Sequence, residues 1–255
     1  MAITLEQIKS LRDRTGVSIT ACKAALDEAG GDEEKAIDFL RKKGEAKAAD
    51  KADRSTAHSF VAVVSEGGKA AIVELRCETD FVAKDQSFMD LGNELAKKVL
   101  HGEITSPDAE IPELSAAMMR LGEKIQIENM AVVEGEVLGS YTHSNKIGVL
   151  VALNGGNEEL AKDVAMHAAA TNPRVMSPDE VPTELVEKEY EIWREQLANE
   201  GKPAEIMEKI LMGKEKKFRE ENALLKQAFV KNPDMTIEQL LQAQGATLVK
   251  FVRFG

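Results

Sequence analysis

The chain has 255 residues, 43% of them apolar and 30% charged, which is enough to bury one or two cores without disulfide or metal support and too polar for a membrane protein. Lys and Arg number 33 against 44 Asp and Glu, and the resulting net charge of −11 opposes general attraction to nucleic acid phosphates. Aromatic residues make up 4%, too few to furnish base-stacking platforms or a large aromatic ligand pocket. No basic segment followed by an apolar core opens the sequence, so the expected location is the cytoplasm. Cys22 and Cys77 have no CxxC partner and read as buried thiols rather than a disulfide or zinc site.

The first 44 residues predict three short helices. Thr4-Leu5-Glu6-Gln7 is a capping-box pattern, with Leu5, Ile8 and Leu11 on one face until Gly16 breaks it. A second helix carries Ile19, Cys22 and Leu26 to Gly30-Gly31; a third begins at Asp32, buries Ile37 and Leu40 and ends near Gly44. Residues 41–57 are charged and alanine-rich, which predicts a solvated, partly helical linker that tethers the module to the rest; Arg41, Lys42, Lys43, Lys47 and Lys51 read as a solvated face.

The period then switches to strands: Phe60 to Val64, a Glu66-Gly67-Gly68-Lys69 turn, and Ala70 to Leu75. A helix with Phe88, Leu91, Leu95 and Val99 on one face follows, then another from about Pro112 to Lys124, then strands at Ile125–Ile127 and Val132–Val133. A second hairpin runs from Val137 to Leu153 around Ser144-Asn145, and Asn154-Gly155-Gly156-Asn157 leads into a helix with Leu160, Val164 and His167. The two hairpin-then-helix passages read as copies. From Lys69 to Leu95 is 26 residues and from Lys146 to Leu160 is 14, so the first copy carries 12 more in its strand-to-helix connection, around Cys77 to Val82. Surface connections are where binding residues concentrate. From Pro182 to about Lys217 an antiparallel helical hairpin is predicted by Val186, Tyr190, Trp193 and Leu197, with a turn at Asn199 to Pro203 and Ile206, Ile210 and Leu211 beyond it. Thr236 opens a capped short helix, and Thr247 to Phe254 alternates as a strand that completes the second sheet.

No histidine spacing suits a metal. His167, on an apolar helix, reads as a hydrogen-bonded core residue, and His143, beside Tyr141, as an exposed one. Asn154-Gly155-Gly156 lacks the rest of a phosphate-binding fingerprint and reads as a turn. Thr79-Asp80-Phe81-Val82 has two compatible readings. Asp80 caps the next helix with Phe81 as its staple, or Phe81 is an aromatic wedge, flanked by an acid, for a partner's pocket.

Leu11-Arg12, Thr15-Gly16-Val17-Ser18-Ile19 and Cys22-Lys23-Ala24-Ala25-Leu26, together with Glu74-Leu75-Arg76-Cys77-Glu78-Thr79-Asp80-Phe81-Val82-Ala83-Lys84, resemble signatures of the bacterial elongation factor Ts family. Val137 to His143, Ile147 to Ala152 and Ala165-Met166-His167 extend the resemblance over essentially the whole chain. It implies an α+β fold: an N-terminal three-helix domain like ubiquitin-associated domains, a duplicated core with antiparallel sheets, and an inserted helical hairpin that dimerises many relatives. The corresponding bounds are 1–54 for the N-terminal domain and linker, 55–138 for core subdomain N, 139–180 and 228–255 for the two parts of core subdomain C, and 181–227 for the hairpin.

The resemblance further implies guanine-nucleotide exchange on elongation factor Tu, bound in its GDP and nucleotide-free forms. No cofactor, metal, catalytic residue, direct nucleic acid contact or membrane is implied. Arg12, Ile19, Thr20 and Lys23 would touch a helix of the partner's nucleotide-binding domain, and Thr79, Asp80, Phe81 and Val82 would form the intruding segment. Phe81 would be the wedge that disturbs the partner's Mg²⁺ site and phosphate loop so that GDP leaves, while His143 and its hairpin would hold the partner's C-terminal β-barrel. Arg76 stands where the family usually has Asn, and Ile19-Thr20 where relatives often have two methionines. The rival readings are a protein-interaction scaffold or chaperone-like subunit without exchange activity and a thiol enzyme using Cys77, Asp80 and His143, which would need a depressed thiol pKa.

Overall fold

A computed structural model describes residues 3–49, 51, 53–200 and 203–255. The fold is mixed α+β and forms two compact units, one taking the chain up to Val64 and Ala71–Ala131, the other Ser65–Ala70 and Val132–Phe254.

In the first unit, α1 (Leu5–Thr15) starts at the expected capping box. Thr4 Oγ1 accepts the Gln7 N–H at 3.2 Å while the Gln7 side chain accepts the Thr4 N–H at 3.0 Å. The helix ends where Gly16 turns left-handed, at φ 65°. With α2 (Ile19–Glu28) and α3 (Glu33–Ala49) it encloses Ile8, Leu11, Val17, Cys22, Leu26 and Leu40. Leu5 and Ile19 do not share this core, being 85% and 54% exposed. Each is the first residue of its helix, and a helical side chain leans toward the N-terminus, here past the packed layer. The tethering linker is corrected as well: α3 runs through Gly44 to Ala49 and packs on a later helix. Alanine-rich sequence favours the helix, and Gly44 supplies the gap, since a Cβ there would lie 2.8 Å from Met119 Sδ. Arg41, Lys42 and Lys43 are exposed as expected; the Lys47 side chain lies outside the described residues, and Lys51 Nζ donates to the Met118 carbonyl at 3.2 Å.

Strands β1 (His58–Glu66) and β2 (Lys69–Cys77) meet at Gly67-Gly68, whose φ values of 59° and 78° suit the tight turn that matches strand twist. The chain continues through α4 (Asp80–Ala83), α5 (Gln86–Leu100) and α6 (Pro112–Leu121) to β3 (Ile125–Glu134), and the sheet order is β1-β2-β3. The two short strands expected after α6 are therefore one. Phe88, Leu91, Leu95 and Val99 are buried along α5 as their spacing predicts, and Gly92 of that helix lies so close to the Phe60 ring that a Cβ would stand 2.6 Å from it.

The second unit repeats the plan. Strands β4 (Val137–His143) and β5 (Ile147–Asn154) pair antiparallel from Val137↔Leu153 to His143↔Ile147, and Ser144 and Asn145 turn at positive φ. Gly155 and Gly156 make the expected turn, and Asn157 caps α7 (Glu158–Thr171) by accepting the Leu160 N–H at 2.9 Å. Here the close approach sits on the strand, where a Cβ on Gly139 of β4 would fall 2.3 Å from the Ala161 backbone of α7.

The hairpin follows as α8 (Thr183–Asn199) and α9 (Ala204–Asn222), joined through a turn whose residues 201–202 lie outside those described. Val186, Leu197 and Leu211 are buried and Trp193 meets Phe218 edge-on at 5.7 Å, but Ile206, expected on the packed face, is exposed. Two short strands, β6 (Ala228–Phe229) and β7 (Asn232–Thr236), lead to the capped helix α10 (Ile237–Ala243) and to β8 (Thr247–Phe254). As predicted, β8 completes the second sheet, antiparallel to β5, in the order β4-β5-β8. Among the described residues no helix is long and apolar enough to cross a membrane.

His167 of α7 is the expected core histidine, with no exposed surface. Its Nδ1 accepts the Val230 N–H at 3.3 Å, so Nε2 carries the proton and donates to Gln227 Oε1 at 3.0 Å. Burial holds its pKa below the usual value, opposed by the Gln227 bond. With the folded pKa depressed, the unfolded chain takes up the proton first, so this contribution to stability is whole above about pH 6.5 and is lost as pH falls below it. The urea midpoint of the parent is expected to drop through that window more steeply than that of His167→Gln; parallel pH profiles would contradict it.

Candidate functional site

The connection between β2 and α5 takes eight residues, Glu78–Asp85, against the three from Gly155 to Asn157 between β5 and α7, so five of the 12 extra residues counted by spacing lie in the connection and the other seven lengthen the start of α5. The longer connection is a loop with its own short helix. Strand β2 ends at Cys77, and Thr79, in extended conformation, caps α4 by accepting the Val82 N–H at 3.4 Å. The expected cap at Asp80 is thus displaced by one residue. Asp80 stands in the first helical turn, where its charge suits the helix dipole, and Lys84 one turn on donates to it at 2.8 Å. That bond holds the Asp80 carboxyl below the usual range. Phe81 does not staple the helix either: its side chain is 84% exposed.

An exposed loop holds its shape only if its backbone groups have partners. Here two carboxylates supply them. Glu123 Oε2 accepts the N–H groups of Glu78 and Thr79 at 3.0 and 2.9 Å, and its Oε1 accepts the Thr79 hydroxyl at 2.5 Å. In return Glu78 Oε1 accepts the Lys124 N–H at 2.7 Å and Arg54 Nη1 at 3.2 Å. The Lys124 bond is the main reason the Glu78 carboxyl titrates below its usual range. The turn that presents Glu123 follows Gly122, which ends α6 at φ 80°. Phe81 therefore rides on a stem fixed at both carboxylates.

Spacing did not single out Glu123, which lies 44 residues from Thr79. The glycine at the end of the α6 pattern marks a turn there, but nothing local pairs that turn with the loop.

Beneath the loop, Cys77 is buried and donates its S–H to the Thr79 carbonyl at 3.2 Å. Burial, then the charge of Glu123, pushes this thiol up to about 12. A nucleophile needs the opposite shift, which argues against the thiol-enzyme reading. On β2, Glu74 is buried and accepts Arg76 Nε at 3.0 Å and Asn129 Nδ2 at 2.7 Å. Removing one partner of a buried charge leaves it uncompensated. Arg76→Ala is expected to destabilise the fold by about 1–2 kcal/mol, a reduced figure because Arg76 itself is partly exposed. Glu74→Gln added to that variant should recover most of the loss in a denaturant titration; no recovery would show that the charge is not the cause.

In the same unit, Arg12 near the end of α1 and Ile19, Thr20 and Lys23 on the first turns of α2 are all exposed. Residues 19, 20 and 23 share one side of that helix by their spacing. In the second unit His143 ends β4 and is exposed, with its Nδ1 3.4 Å from the Tyr141 hydroxyl and the two rings stacked at 6.4 Å.

Residues 78–255 match the protein family described as Elongation factor TS. Similar curated proteins include the "Elongation factor Ts" of Idiomarina loihiensis, 42% identical over 269 residues and aligned across 100% of this chain and 91% of that protein. The Marinobacter nauticus protein of the same name is 46% identical over 264 residues, covering 99% of this chain and 90% of its own length. That of Francisella tularensis subsp. novicida is 43% identical over 262 residues, with 98% and 91% covered.

Proposed function

The chain belongs to the elongation factor Ts family, and on that premise we propose that it is the guanine-nucleotide exchange factor for elongation factor Tu in translation elongation. It makes and breaks no covalent bond. Its action is a linkage: a protein that binds the nucleotide-free partner more tightly than the GDP-bound one must weaken GDP binding by the same factor. The partner's phosphate loop and Mg²⁺ hold GDP through positioned contacts, and a misplacement of about 1 Å in such a contact can cost about 100-fold.

The observation that carries the reading is Phe81, a rigid aromatic ring left in solvent at the head of a loop whose backbone is tied down. Burying that ring would favour association, and little entropy remains to be lost in ordering it. Asp80 and Lys84 flank it as a charged rim. Arg12, Ile19, Thr20 and Lys23 form a second contact region in this proposal, and His143 a third. Self-association through the α8–α9 hairpin belongs to the same proposal, supported by the exposed Ile192, Ile206 and Met212.

Release of a fluorescent GDP analogue from elongation factor Tu, followed by stopped flow with and without this chain, tests the reading. Acceleration by the parent supports exchange. A stable complex with no acceleration would instead support the scaffold.

A further inference from the structure

Within the first unit a cleft of about 320 Å³ opens between the three-helix module and α6. Its apolar lining comes from Val17 and Leu40 of the three-helix module and from Pro112 and Met119 of α6. Two glycines build it. Met119 fits at Gly44, and the stem of Arg120 crosses Gly16, where a Cβ would lie 2.8 Å from Arg120 Cδ. Arg14, Arg41 and Arg120 all line the cleft, an accumulation of cations in a chain of net charge −11. Arg14 is engaged by Glu33 and Glu34 at 2.9 and 2.8 Å. Among the described residues Arg41 and Arg120 form no ion pair, though their charges are felt at Glu113 and Asp85.

We propose that this cleft binds a small amphiphilic anion, with its apolar body between Leu40 and Met119 and its carboxylate or phosphate between Arg41 and Arg120. The size argues for a small molecule, since the volume lies at the lower end for ligand pockets. The charge argues for an anion, because guanidinium groups left in solvent beside an apolar surface are ready partners for carboxylate or phosphate. The site takes no part in the exchange reading, and its test does not depend on it.

Isothermal titration of the full chain with octanoate, octyl phosphate and the neutral octyl glucoside, all below micelle formation, is the experiment. At least one anion is expected to bind saturably at one site, with the neutral amphiphile at least about tenfold weaker. Binding of octanoate alone identifies an acyl carboxylate, of octyl phosphate alone a phosphate ester, and of both a site that reads charge only; each supports the proposal. Arg41→Ala and Arg120→Gln are each expected to weaken binding about tenfold. Because Arg120 also packs on Gly16, Ala116→Trp serves as a second probe that fills the cleft and keeps the cations, and it should abolish binding. No saturable binding of either anion at millimolar concentration, equal binding of the glucoside, or indifference to these substitutions would overturn the proposal.

Discussion

Phe81→Ala is expected to leave the fold and its stability unchanged to within about 0.5 kcal/mol, as for a side chain that packs on nothing, while slowing stimulated GDP release from elongation factor Tu by about 30-fold. The figure follows from the role. Truncating a central aromatic anchor of an interface costs about 2 kcal/mol or more, and in the proposed exchange that energy is invested in displacing the partner's nucleotide contacts. Phe81→Leu retains apolar bulk but not the ring's stiffness, and it should fall between parent and alanine. The measurement is the release rate at saturating exchange factor, with a thermal melt alongside. Parental release by a normally folded alanine variant would remove Phe81 as the wedge.

Glu123→Ala attacks the same process from below. The substitution takes away three hydrogen bonds at once and strands two backbone N–H groups of a half-buried loop, an effect of about 3 kcal/mol on local stability. Hydrogen exchange at the Glu78 and Thr79 amides is expected to accelerate by about 100-fold, with protection in the β4–β5 sheet preserved. GDP release should slow although Phe81 is intact, because an anchor on a loose stem must be ordered during binding. Glu123→Gln, which retains one acceptor oxygen, should lie between. Unchanged amide protection at Thr79 would show that the loop is held by something other than this carboxylate.

Much of the fold is legible in the order of residues because its signals are local. Capping boxes at Thr4 and Thr236, the Gly67-Gly68 turn and the face of Phe88, Leu91, Leu95 and Val99 each need only a few neighbours to be read. The comparison of intervals located the loop, since a copy provides its own standard of length. What could not be read depends on contacts distant in sequence. Gly44 looked like a stop until Met119, on another helix, explained why it lacks a side chain. Ile206 looked like core because periodicity reports which residues share a face, not whether anything covers that face. For the site, the exposure of Phe81 and the displacement of the cap from Asp80 to Thr79 emerge only once the backbone is placed. Glu123 needed the third dimension altogether.

The two glycine contacts bear on the history of the molecule. In one half the helix carries the missing side chain, Gly92 against Phe60; in the other the strand does, Gly139 against Ala161. Whatever common ancestor the halves had, each has since settled its tightest point in a different place. Recombination that transplanted α7 into the first half or α5 into the second would now bring bulk against bulk at one seam and leave a void at the other. The halves have become mutually exclusive in their parts, and mutations that repair one cannot be borrowed by its sibling.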